Sequence, residues 1–397
     1  MLDIKKINLY GLSIPFKKKI ETNWSKRLGT TSFLIEVKTS NNISGYGEMI
    51  AFFPIEQCKI TLEKMIKDIK GFKLNQISKM MNRALYGGSW MRTGKANDLG
   101  LSAWAAIEMA LFDAYTKTLK ISIGDFFGGS LQNDFSLAVN VDVGSVSSMC
   151  RESKRLVTKG YKTLFIKVGK NNLSLDKDLL MLSKIQKTVG HNIQLYIDAN
   201  GAWSLHTAIK AFRKLEKLDL NIICIEQPVM SKAGLKTLRN KFKYPIGVNE
   251  PLSNPQNILN FLKDDIADFY ILDIYEAGGL LNFFNLSKTI VTSGKHVICR
   301  AHGGTNLSYL TSLKVLSAVN SNLTTVPHQC YELNDKNLIK WIPKVKKGVL
   351  NIDKDQNKYT YLDKKLFLEY SRLFKKKIIY EIYNNKNKKI VPYFPKY

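Results

Sequence analysis

The sequence predicts an α/β protein: a (β/α)8 barrel of the TIM type, with an α+β amino-terminal domain ahead of it that the C-terminal segment completes. Two observations predict the barrel. Six polar residues close six successive apolar runs and recur 23 to 31 residues apart: Lys167 in TLFIKVG, Asp198 in LYIDAN, Glu226 in IICIEQP, Glu250 in PIGVNEP, Asp273 in FYILDIY and His302 in HVICRAH. That interval fits one strand, one helix and two short loops. The intervening segments also read as helices, for example SLHTAIKAFRKLEKL after Asp198 and GGLLNFFNLSKTIVTSG after Asp273, with apolar residues at three- and four-residue steps.

In chain order, residues 1–130 open with the strand-like runs INLYGLSIPF, SFLIEVKTS and ISGYGEM and then turn helical in LGLSAWAAIEMALFDAYTKTL. Strands followed by helices, without alternation, indicate a separate α+β domain. Residues 131–347 carry the barrel. Its first strand is FSLAVNVDV and its eighth is LTTVPHQ, so the six polar-ended runs are strands two to seven. Residues 348–397 begin with the extended segment GVLNIDKDQNKYTYLD, which is expected to return to the first domain or the barrel mouth. The closing stretch KKKIIYEIYNNKNKKIVPYFPKY mixes strand formers with Lys and Asn and has no assigned role.

Composition narrows the class of function. At 397 residues with 45% hydrophobic content, the chain can bury a large core and form two domains. A formal net charge of +27 would, by itself, favour nucleic acid or an anionic membrane. The lysines are interspersed with Asn and Ile, as in KNKKI, with no long basic block and no nucleic-acid motif, and AT-rich codon usage explains the excess. A non-catalytic basic binding protein is the remote alternative; one continuous basic face away from the barrel mouth would favour it. The five cysteines lack a CxxC pattern and are expected to be free thiols in a reducing cytoplasm. No run reaches the ~20 apolar residues of a membrane helix, and MLDIKKINLY does not read as a signal peptide. A homo-oligomer is expected.

An acid after a single strand is commonly a helix cap. Asp198, Glu226 and Glu250 on successive barrel strands have another use, because hard oxygen ligands converging at the carboxyl ends make a site for one Mg²⁺ with positions left open for substrate. A proton beside a carboxylate is weakly acidic, and its removal places a second negative charge on that carboxylate. A divalent cation stabilises that charge where it develops. Lys167 and His302 approach from opposite sides as acid/base groups. Asp273, one strand before His302, accepts the imidazole N–H and fixes its tautomer. His191, His206 and His296 are read as structural.

In combination, IDAN, IEQP, NEP, the Asp-to-His pairing across LDIYEAGG and CRAHGG, and the GYGE segment resemble the enolase superfamily, in its mandelate racemase/muconate lactonizing group. The resemblance spans nearly the whole chain. It implies that the three acids bind Mg²⁺, that a small-molecule carboxylate is the substrate and that the reaction passes through an enediolate. It also implies that the segments holding Trp24, Phe52 and Phe53 close over the pocket. Two departures steer the reading. The family's Lys-x-Lys at the second strand is here Phe165-x-Lys167, which weakens Lys167 as a base, and Asp273 stands where the muconate-lactonizing branch has Lys. Asp273 points to the His–Asp branch, which the resemblance implies holds sugar-acid dehydratases and racemases. Within it the weakened Lys167 points to dehydration of a sugar acid, with racemisation, epimerisation or cycloisomerisation of a 2-substituted acid as the alternative. Asn200 and Gln329 are expected as polar contacts to metal or substrate.

Overall fold

The computed structural model describes residues 2–21, 26–51, 53–86, 96–169, 174–253, 255–300, 304–319, 326–328, 338–352 and 359–376. Near the amino terminus, strands β1 (Ile4–Glu21), β2 (Lys26–Thr39) and β3 (Ser44–Ile50) form an antiparallel sheet in that order. The helix Ala96–Leu119 packs on it. Its middle stretch is apolar on every side, so it must be enclosed on every side; Ala103, Trp104, Ala105, Ala106 and Ile107 are all fully buried. The glycines of GYGE have a backbone reason. A Cβ on Gly45 would lie 2.3 Å from the Ala110 carbonyl oxygen, and one on Gly47 would lie 2.0 Å from that of Ala106. Those alanines stand one helical turn apart and face the strand, so small residues on both sides let helix and sheet close to backbone contact.

The barrel follows. Its strands are β4 (Asp134–Asn140), β5 (Thr163–Lys167), β6 (Gln194–Asp198), β7 (Ile222–Glu226), β8 (Ile246–Val248), β9 (Phe269–Leu272), β10 (His296–Cys299) and β11 (Val326–His328). All pair in parallel, each with the next from β4 to β10, and β11 returns to pair with β4. Helices separate them, among them Leu205–Leu215 and Leu280–Thr292, where the sequence pattern placed helices. Ala138, Phe165, Tyr196, Cys224, Phe269, Ile271 and Ile298 form a compact apolar cluster of their own, the barrel interior.

The last described segments touch both parts of the molecule. Strands β12 (Val345–Lys346) and β13 (Val349–Asn351) make a hairpin, and β13 joins β4 antiparallel. The helix Lys364–Lys375 instead packs on β1, with the rings of Phe367 and Tyr10 edge-to-face at 5.1 Å and Phe374 against Gly11 and Phe33. Lys117, buried at the end of the long helix, donates to Asp113 at 2.7 Å, to the Ser44 carbonyl at 2.8 Å and to the Thr360 carbonyl at 2.7 Å.

Two buried carboxylates fasten the amino-terminal domain to the barrel. Glu48, on β3, accepts from the Thr305 N–H at 3.1 Å, the Thr305 hydroxyl at 2.7 Å and the Ser308 hydroxyl at 3.3 Å, at the start of the helix Asn306–Leu316. Glu108, on the long helix, accepts from the N–H groups of Leu280 and Leu281, the first residues of the helix Leu280–Thr292. Gly279, at φ +116°, makes room: a Cβ there would lie 2.2 Å from Glu108 Oε2. Orphan amides at a helix start favour an anion.

For Glu108 burial wins over those amides, and its carboxyl is pushed up to about 7. The native state therefore retains a proton that the unfolded chain, titrating near 4.3, has released. The stability this confers is complete below that unfolded value and is lost as pH rises through about 7. Urea unfolding should show stability falling from about pH 5 to about pH 8, with Glu108 responsible for on the order of 3 kcal/mol at most. Glu108→Gln should flatten that part of the profile, and an unchanged slope in the variant would rule the assignment out.

Candidate active site

Side chains alternate along a strand, so a residue two places beyond a barrel-interior position stands on the same face one layer higher. Counting two on from Phe165, Tyr196 and Cys224 reaches Lys167, Asp198 and Glu226. Two on from Ile271 and Ile298 reaches Asp273 and Arg300. The register completes the alignment, since Lys167 pairs with Asp198 and Asp198 with Glu226 across adjacent strands. Neighbouring strands lie about 4.8 Å apart. Two carboxylates and an ammonium thus form one row on top of an apolar floor. Glu250 opens a short turn two residues after β8 ends.

The row is hydrogen-bonded throughout. The Lys167 ammonium donates to Asp198 Oδ2 and, at 2.8 Å, to Asn200 Oδ1. The Asn200 amide passes the connection to Glu250 Oε1 at 3.0 Å. Asn200 adopts φ +45° and its own N–H donates to Asp198 Oδ1 at 2.8 Å, an Asx-type turn that Asn tolerates and most residues do not. Below the row, the Tyr196 hydroxyl donates to Glu226 Oε2 at 2.7 Å, and its ring packs on Phe165 at 4.9 Å between centroids. The Lys167 nitrogen sits 5.0 Å from the Phe165 ring centre, within cation–π range. Phe165 is therefore more than a lost charge, because its ring face favours the ammonium.

Burial is the largest cause raising the carboxyls of Glu226 and Glu250, and the charge of Asp198 adds to it in both. Lys167 and Arg300 pull Glu226 back down, and Arg300 does the same for Glu250. Arg300, Asn249 and Glu276 are site residues that the sequence reading missed. The Arg300 guanidinium donates to Asn249 Oδ1 and to Glu276 Oε1 at 2.7 Å. Glu276 is still raised to about 7, because burial outweighs the ion pair. The missed signal was the same two-residue step, from Ile298 to Arg300 and from Gly247 to Asn249.

Asp273 stands directly after β9, where it was expected. Its Oδ1 accepts from the N–H groups of Tyr275 at 2.8 Å and Glu276 at 2.9 Å, so it caps the short helix Ile274–Ala277. Phe53 is half-buried against the core beside β3. His302, Gln329, Trp24 and Phe52 lie outside the described residues.

Among the described residues, no three acidic, His or Cys side chains stand placed to grip one ion as they are. Each of the three acids is instead turned to an internal partner: Asp198 faces an ammonium, Glu250 an amide and Glu226 a phenol. The donor set nonetheless suits a hard divalent cation, being all oxygen, three carboxylates and crowded with like charge. Asp198, Glu226 and Glu250 could hold it.

Two family models divide the chain between them. Residues 13–128 match the amino-terminal domain of mandelate racemase/muconate lactonizing enzymes, and residues 148–356 match the enolase C-terminal domain-like model. The chain belongs to the mandelate racemase/muconate lactonizing family of the enolase superfamily. It is accordingly an enzyme of that superfamily, which displaces the basic-binder reading. It is 27% identical to an L-Ala-D/L-Glu epimerase of Bacillus subtilis, over 70% of this chain and 75% of that one. It is 24% identical to a D-gluconate/D-galactonate dehydratase of Picrophilus torridus, over 74% of this chain and 78% of that one. The fold matches the dipeptide epimerase of Enterococcus faecalis V583, solved with Mg and L-Leu-L-Tyr, with a TM-score of 0.79 at 20% identity, covering 88% of this chain and 97% of that one. Among the described residues, no helix is long and apolar enough to cross a membrane.

Replacing Arg300 with Met should leave Glu276 buried without its cation, at a cost of about 3 kcal/mol. The loss should be larger at pH 8 than at pH 6, because a protonated Glu276 needs no counter-charge. Equal losses at the two pH values in denaturant titrations would contradict the pairing.

Proposed function

We propose that this enzyme removes the proton beside the carboxylate of a small organic acid and that the reaction proceeds to dehydration of a polyhydroxy acid. A divalent cation, Mg²⁺ in this reading, supplies charge stabilisation at the substrate carboxylate when bound. Asp198, Glu226 and Glu250 would hold it, Tyr196 and Asn200 orient two of those carboxylates, and Arg300 moderates their charge. One observation carries the choice of dehydration. Lys167 is engaged as an ammonium by Asp198, Asn200 and the Phe165 ring, so it is arranged to donate a hydrogen bond and not to accept a proton. Base chemistry then falls to the other side, where the sequence puts His302 and Asp273. A base on one face suffices for dehydration, because the same imidazole can return its proton to the departing β-hydroxyl.

A second reading, epimerisation or racemisation at the α-carbon, is favoured by the similarity to the L-Ala-D/L-Glu epimerase and by the position of Lys167 across the site from the Asp273 strand. It requires a competent base on each face.

The cation can be tested without substrate. Mg²⁺ or Mn²⁺ at a hundredfold excess over its dissociation constant should stabilise the protein by about 2.7 kcal/mol, seen as a raised melting temperature. Glu226→Gln should lose most of that shift and all turnover, whereas a melting temperature indifferent to millimolar cation in the unaltered protein would end the metal assignment.

The two reactions separate at Lys167. Under the dehydration reading, Lys167→Met slows keto-acid formation by about 10- to 100-fold through positioning and electrostatics. Sugar acids run in D2O should then show no exchange of an α-proton on the lysine face. Solvent deuterium in both enantiomers of recovered substrate, without keto acid, would establish the two-base alternative instead.

A further inference from the structure

Glu48 lies on β3 of the amino-terminal domain and is completely buried, far in sequence from everything it holds. Its carboxylate takes three donors at the start of the helix Asn306–Leu316, and its backbone oxygen accepts the Tyr275 hydroxyl at 2.7 Å. Tyr275 belongs to the short helix that Asp273 caps, and Tyr275 N–H is one of the two donors to Asp273 Oδ1. A single residue therefore touches both strand-end segments on the side of the site opposite Lys167. Ile50, two residues further along β3, closes on the same place: a Cβ on Gly304 would lie 2.9 Å from its Cδ1. Arg300, the residue after β10, bonds Asn249 and Glu276. In the sequence His302 lies between Arg300 and Thr305.

We propose that Glu48 is a positioning residue for the acid/base side of the site, setting the Asp273 segment and the start of the helix Asn306–Leu316 relative to each other from the neighbouring domain. The geometry is directional. An apolar interface would tolerate sliding by a fraction of an ångström, whereas three convergent hydrogen bonds to one carboxylate do not. A hydroxyl from one segment and an amide from the other meet at one residue, so neither can shift without breaking a buried bond. The amino-terminal domain on this account contributes to proton transfer, beyond covering the barrel mouth.

The test uses the full chain and two readouts: hydrogen–deuterium exchange over residues 273–281 and 304–309, and kcat with KM on the turnover substrate. Glu48→Ala removes the carboxylate contacts and should speed exchange over 304–309, whereas Tyr275→Phe removes the bond to the Glu48 backbone oxygen and should speed exchange over 273–281. Each should lower kcat, about 100-fold for Glu48→Ala, while KM stays within about threefold. Glu48→Gln keeps an acceptor oxygen for Thr305 N–H, so it should restore protection and hold kcat within about fivefold of the unaltered enzyme. Should Glu48→Ala not fold, Glu48→Asp takes its place, since one methylene less leaves the Thr305 contacts unmade. Unchanged exchange over 304–309 in Glu48→Ala or over 273–281 in Tyr275→Phe, or a raised KM with kcat intact, overturns the proposal. The kinetic arm rests on the proposed function and the exchange arm does not. If the unaltered protein turns over no carboxylate, that reading fails while exchange still decides the role of Glu48.

Discussion

The constraint on which this molecule depends is the two-residue alternation of eight short parallel strands. It fills the barrel with an apolar layer and obliges the next residue on each inward face to be whatever the chemistry needs. In this chain that layer is Lys167, Asp198, Glu226, Asn249, Asp273 and Arg300 around the rim. Concentrating carboxylates over an apolar floor is unfavourable. The cost appears as the raised carboxyls of Glu226, Glu250 and Glu276, each with burial as its leading cause. Two basic side chains offset it, Lys167 from one side and Arg300 from the other. A site so arranged is poised to gain from any further positive charge.

The same logic, reversed in sign, joins the domains. Helix starts present unpaired N–H groups, and the amino-terminal domain meets two of them with Glu48 and Glu108. Burial of Glu108 costs more than its amide bonds return, since its carboxyl is raised despite them. What such contacts add is direction, because a helix surface of Ala and Leu fixes distance better than register. Close backbone packing at Gly45 and Gly47 supplies the distance, and the two carboxylates supply the register.

The barrel was legible because its signal is periodic. Apolar runs ending in polar residues at near-constant intervals leave few alternative folds, and Lys167, Asp198 and Glu226 stand at strand ends as the pattern requires. Asn249 and Arg300 obey the same alternation but were overlooked, because Arg300 sits two places before the more conspicuous His302 and Asn249 one place before Glu250. Glu48 and Glu108 could not have been read at all. Their partners lie 257 and 172 residues away, and nothing local in GYGE or AAIEMA says what the carboxylate will meet. Tyr196 belongs to the same class, an inward aromatic whose hydroxyl acquires meaning only once Glu226 is beside it.

Phe165 shows how a substitution can be read two ways. As a missing lysine, it removes one positive charge from the row and leaves the carboxylates with Lys167 and Arg300 as described counter-charges. As an aromatic ring, it supports Lys167 from below and stacks on Tyr196, which in turn holds Glu226. Both consequences act in one direction. With less fixed positive charge in the row, the three carboxylates have more to gain from a bound cation, and the ring favours Lys167 as an ammonium, which is the contact the proposed one-sided reaction rests on. Under the proposed function, an exchange of charge for an aromatic ladder at one inward position is what turns a two-sided site to one-sided chemistry.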